Sequence, residues 1–90
     1  MIKPHIWNPD KNAWLKQHRG FGFEEVVEAV ESGGLLDDMR HPSAAYSNQR
    51  LYIVEISGYA VVVPYVEEAE YIFLKTAFPD RKANRKYLDR

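Results

Sequence analysis

Apolar positions along the chain follow two rhythms, and the change between them divides the sequence. From Phe23 to Glu31, the apolar residues Phe23, Val26, Val27 and Val30 stand at i, i+3, i+4 and i+7, with Glu24, Glu25, Glu28 and Glu31 between them. That spacing predicts one amphipathic helix whose apolar stripe covers a sheet. From Arg50 to Arg81 the pattern becomes three short apolar runs, Leu51 to Ile56, Tyr59 to Tyr65 and Tyr71 to Ala77. They are separated by Ser57-Gly58 and by Glu67-Glu68-Ala69-Glu70. A two-residue connection containing glycine between β-branched runs predicts a tight hairpin, and the acidic gap predicts a longer, solvated turn. The three runs read as an antiparallel meander. Tyr59 to Val63 has no polar side chain after Tyr59, so it is expected as the central strand, covered on both faces. Pro64 lies near its end, where a missing ladder donor is tolerated.

The flanking segments carry helix signals. Asn8-Pro9-Asp10 combines an N-cap, a proline at the first helical position and an acid that suits the helix dipole, so a helix is expected to about His18. Trp7, Trp14, Leu15 and His18 fit one face of it, with Trp14 in the core, and Gly20 ends the pattern. Ser32-Gly33-Gly34 ends the second helix. Leu35 to Met39 predicts a short edge strand, and Arg40 to Gln49 a polar exposed loop. Asp80 is the expected N-cap of a helix from Arg81 to about Leu88, packed through Ala83 and Tyr87. The expected fold is α+β: two N-terminal helices on an antiparallel meander of about four strands, then a basic C-terminal helix, in one domain spanning residues 1–90.

Composition narrows the classes. With 46% hydrophobic and 13% aromatic residues, 90 residues can build a modest core. The absence of cysteine excludes disulfides and thiolate metal sites. No apolar stretch approaches the roughly 20 residues of a membrane span, and MIKPHIWNPD lacks the form of a signal peptide, so the expected location is the cytoplasm, away from membranes. The formal net charge of −1 conceals an asymmetry, because residues 75–90 hold six basic and two acidic side chains, a net of +4. A compact positive end on an acidic domain suits an anionic partner held at one place.

Most enzyme signatures are absent: no phosphate-binding glycine loop, no nucleophile elbow and no HExxH. His5, His18 and His41 are scattered, so neither a metal nor another cofactor is expected. Lys75, inside the third apolar run, must present its ammonium to water or to an anion, because burying it unpaired is costly. Permanent cations with a few proton carriers suit RNA cleavage, in which a 2′-hydroxyl attacks the adjacent phosphate and the protein stabilises the phosphorane. The plainer reading is that Lys75 snorkels from an edge strand and the arginines pair with carboxylates.

The opening WNPDKNAWLKQHRGFGFEEV resembles the BrnT family of bacterial toxins, in which a W-[DN]-P-x-K-x block leads through a basic, histidine-containing helix end to a Gly-x-x-Phe-Glu-Glu helix. The matching residues are Trp7, Asn8, Pro9 and Lys11, then Gly20, Phe23, Glu24 and Glu25. Arg50 opening a strand, Gly58 in a hairpin, Val61 to Val63, and Arg81-Lys82-Ala83 continue the likeness in order. Two segments depart from it: Gln17-His18-Arg19-Gly20 replaces Lys-His-Gly, and Phe73 to Arg81 replaces Ile-Ile-Ser-Ala-Arg and introduces Lys75.

BrnT-like proteins belong to the RelE/ParE toxin group. The resemblance implies a metal-independent ribonuclease that inhibits translation and growth and is neutralised, as a hetero-oligomer, by a cognate antitoxin. On this reading Lys75, singled out by its charge and not by the resemblance, joins Arg50, Arg81 and His18 as candidate catalytic residues, with Lys75 or His18 as proton carrier, and Lys82, Arg85, Arg19 and Lys16 bind RNA. Two other readings stay open. One is a toxin-like fold that only binds, through its partner or through exposed aromatics such as Tyr46, Tyr52 and Tyr65; the other is a gyrase poison of the ParE kind.

Overall fold

A computed structural model describes residues 3–89. Its elements run β1 (His5–Trp7), α1 (Pro9–Arg19), α2 (Phe23–Glu31), β2 (Leu35–Arg40), a 3₁₀ turn (Ala44–Tyr46), β3 (Arg50–Ile56), β4 (Tyr59–Glu67), β5 (Ile72–Leu74), β6 (Phe78–Pro79) and α3 (Arg81–Tyr87). The α+β class is as expected, but the sheet has six strands, not about four, and is mixed. Its order is β1-β5-β4-β3-β2, with β6 pairing β4 beyond the end of β5. The unexpected β1 runs parallel to β5, with His5, Ile6 and Trp7 beside Ile72, Phe73 and Leu74. Three residues are too few for an alternating pattern to stand out from the sequence.

The central hairpin forms as its residues dictate. β3 and β4 pair from Arg50↔Tyr65 to Ile56↔Tyr59. Ser57 (φ 53) and Gly58 (φ 80) close it with the two left-handed residues that match the twist of the strands. Tyr52, Val54, Val61, Val63, Tyr65 and Leu74 form one core with Leu15, Phe23 and Val26, while Leu51, Ile53, Ala60 and Val62 pack on Ala83. β4 is thus covered on both faces. Phe23, Val26 and Ala29 are the buried residues of α2, and Val27 and Val30 pack partly buried against the same core.

Pro64 shapes the third run. Its carbonyl accepts the Lys75 N–H at 2.9 Å. Along a strand a residue's N–H and C=O face the same neighbour, so the donor that proline lacks falls on the β5 side, and the ladder cannot be continued there. β5 therefore ends at Leu74, and the chain steps out through Lys75 and Thr76 before returning as β6 beside Val61 and Val62. Lys75 is not inside a strand, as the apolar run suggested; it lies in the step between two short ones.

Two asparagines tie the helices down. Buried Asn12 on α1 accepts the Phe23 N–H through Oδ1 at 2.7 Å and donates from Nδ2 to the Glu24 carboxylate at 3.0 and 3.1 Å, capping α2 from outside. Buried Asn84 on α3 accepts the Ala60 N–H through Oδ1 at 3.0 Å, beside the expected Asp80 cap on the Ala83 N–H. No helix among the described residues is long and apolar enough to cross a membrane.

Candidate nucleic-acid interface

The outer face of α1 carries the first group of candidate residues. Asn8 caps the helix, its side chain accepting the N–H groups of Asp10 and Lys11, and Gly20 (φ 79) ends it in the left-handed conformation. A helix turns 100° per residue, so Trp14 and Leu15 cannot both point to its centre of packing. Leu15 is fully buried with Asn12 three positions earlier, and Trp14 is left 38% exposed. Trp14 is therefore not a core residue, and its own face holds Lys11 and His18 at i−3 and i+4.

These neighbours turn the indole into a cationic platform. Lys11 Nζ lies 4.4 Å and the Arg19 guanidinium carbon 4.9 Å from the ring centroid, both within cation–π range. The His18 ring stacks on it at 4.6 Å and 21°. His18 Nδ1 is 3.0 Å from the Trp14 carbonyl, which can only accept, so Nδ1 carries a proton and Nε2 of the neutral ring keeps a lone pair. Arg19 also donates to the Ala77 carbonyl, which fixes the end of α1 against the segment that follows Lys75.

Lys75 belongs to the same place. A shallow concavity of about 690 Å³ is lined by Lys11, Trp14, Phe73, Lys75, Thr76 and the helix start at Asn8 and Asp10. The Lys75 ammonium sits 5.6 Å from the Phe73 ring centroid, and its side chain is exposed. The fold thus brings Lys75 beside Trp14, with His18 and Arg19 around the indole.

Other candidates lie elsewhere. Lys16 pairs with Glu24 at 3.2 Å on an exposed surface. Arg81, Lys82 and Arg85 are exposed along α3, and neither concavity lined by Lys75 includes them. Arg50 is engaged within the protein: its Nε donates to Asp38 Oδ1 at 3.2 Å and to Tyr65 OH at 3.1 Å, and a terminal nitrogen donates to the Asp38 carbonyl at 3.1 Å. Tyr65 OH in turn donates to Asp38 Oδ1 at 2.6 Å. The Tyr65 hydroxyl and the Asp38 charge raise the Arg50 pKa, and burial, reinforced by the bond to Asp38, raises that of Tyr65.

This network extends across the sheet. The Tyr52 and Tyr65 rings stack at 4.2 Å, and Tyr52 OH is hydrogen-bonded to His5 Nε2 at 3.0 Å. Burial pushes Tyr52 up to about 12 and lowers His5 from its ordinary 6.5, against a small opposing pull from Glu31. Tyr52 and Tyr65 are buried, so neither offers a ring face for stacking. Among the described residues, no group of three or more His, Asp or Glu is placed to hold a metal ion.

No family model, curated protein or solved structure matches the chain.

Reading the sequence missed Lys11 and Trp14 as site residues. The signal was the set 11, 14 and 18 on one helical face, set apart from the buried pair 12 and 15.

Proposed function

We propose that this chain binds single-stranded RNA on the Trp14 platform and cleaves it without a metal, as a BrnT-like toxin held in check by an antitoxin. The observation that carries the reading is the exposed indole with Lys11, Arg19 and His18 around it and Lys75 lining the same concavity. His18, Lys11 and Arg19 lie over the ring, so a base stacks on the indole by displacing one of these exposed side chains, and a cation released in this way suits the neighbouring phosphate.

The chemistry follows from the groups present. His18 Nε2 takes the proton of the 2′-hydroxyl, the 2′-oxygen bonds to phosphorus, and the bond from phosphorus to the 5′-oxygen breaks. The leaving oxygen takes a proton from the Lys75 ammonium, giving a 2′,3′-cyclic phosphate and a 5′-hydroxyl. Lys11 and Arg19 offset charge on the phosphorane. The arrangement of two N-terminal helices, meander and basic last helix is read as that of the RelE/BrnT group, with the exposed cations of α3 available to an acidic antitoxin and the cytoplasm as its place of action.

Binding without cleavage is the second reading, favoured by the engagement of Arg50 with Asp38 and Tyr65. Incubating the purified chain with RNA in the presence of a chelator decides between them. The proposal expects cleavage that His18→Ala and Lys75→Met each lower by roughly 10²-fold or more at unchanged Tm. RNA that is bound and left intact supports the second reading, and RNA that is not bound at all overturns both.

A further inference from the structure

Lys75 and Thr76 line a second concavity as well as the one at Trp14. It measures about 540 Å³, within the range of small-ligand sites, and Leu51, Val62 and Pro64 contribute apolar surface to it. His41 and Tyr46 also line it, their rings 4.9 Å apart. Tyr46 is 49% exposed, held in the 3₁₀ turn by its N–H bond to the Ser43 carbonyl. His41 Nδ1 accepts the Ser43 N–H at 3.1 Å, so the neutral ring carries its proton on Nε2 as a donor. Gln49 adds an amide able to donate to and accept from a base edge.

We infer that a bound strand runs through both concavities, one base on Trp14, the next beside Tyr46, and the phosphate between them at Lys75. This rests on the proposed RNA-binding reading and assigns its path. Charge argues for a nucleic acid here. Among the described residues, no carboxylate lines the second concavity, and Asp10, in the first turn of α1, is the one carboxylate lining the first. By contrast, the concavity between α2 and the β3–β4 hairpin is lined by Glu25, Glu28 and Glu55 and would repel phosphate. An aromatic ring on each side of a lysine is the arrangement that stacks consecutive bases while tracking the backbone.

Fluorescence anisotropy with a short 2′-O-methylated RNA oligonucleotide, which cannot be cut, tests the path. Loss of one stacked base weakens binding by roughly five-fold to a hundredfold. Trp14→Ala and Tyr46→Ala should each do so, Tyr46→Phe should bind as wild type, and a thiouridine-bearing strand should crosslink to the peptides of both Trp14 and Tyr46. If Trp14→Ala weakens binding while Tyr46→Ala does not, or if crosslinks form at Trp14 alone, the path is overturned and RNA binding at Trp14 stands. If the wild type does not bind, both fall. A Tyr46→Ala variant that keeps its RNA affinity but no longer retains a protein partner gives the second concavity to that partner and likewise overturns the inference. Should Tyr46→Ala lose stability, the crosslink positions on the wild type still decide.

Discussion

Arg50 and Lys75 are both cations at the margin of the same sheet, and their surroundings give them opposite fates. Arg50 meets Asp38 and Tyr65 at hydrogen-bond distance, so two of its three nitrogens hold β2, β3 and β4 together. Lys75 leaves the sheet where Pro64 interrupts the ladder, and it lines one concavity with Phe73 and Trp14 and another with Tyr46. A cation is available to a ligand only when its neighbours have left it so, and that is a property of strand register and ladder breaks more than of sequence charge.

The contrast is broken or sharpened by substitution. The largest effect is expected at Lys75: Lys75→Met should lower RNA cleavage on the order of 10²-fold to 10³-fold, the usual loss for one transition-state donor, with Tm unchanged. Steady cleavage with a lowered Tm would reverse the roles of the two cations. Arg50→Met should do the opposite, keeping cleavage within a few-fold while Tm falls.

Asn12→Ala should cost about 1–3 kcal/mol, because the buried Phe23 N–H is left without its acceptor. In a chain of this size that is a fall in Tm of roughly 5–20 °C, measurable by circular dichroism. Tyr65→Phe should cost about 1–2 kcal/mol by removing a bond to the Asp38 carboxylate, and should leave RNA binding intact.

The smallest effect concerns pH. His5 has its folded pKa lowered below 6.5 by burial, so between that value and 6.5 the unfolded chain binds more protons than the folded one. Its contribution is complete above about pH 6.5 and is lost as pH falls below it. Tm of the wild type should therefore decline more steeply below pH 6.5 than that of His5→Gln, and parallel declines would remove His5 from the account.

The sheet core, the two-residue hairpin and all three helices were legible because each is written in local periodicity or in a cap: Asn8, Gly20, Ser57-Gly58 and Asp80 act within a few residues of themselves. β1 and β6 were not, since their pairing to β5 and β4 depends on partners far along the chain. The site was half legible. Arg19 and Lys75 stand out in the sequence as cations and His18 as a proton carrier, but Trp14 reads as core because one apolar residue beside another does not say which of them faces inward. Arg50 looked free because Asp38 lies across a strand pair from it, twelve residues earlier.

The parallel pairing of β1 with β5 sets a time as well as a place. Lys75 is made about 60 residues after Trp14, roughly 3–12 s later at ordinary synthesis rates. Until then the hairpin of β3 and β4 can form from neighbouring residues, while α1 has no β5 to bring it beside Lys75. A ribosome-bound fragment that stops short of β5 carries the indole and its cations but not the concavity. Whatever that surface does, it begins only after β5 has been made.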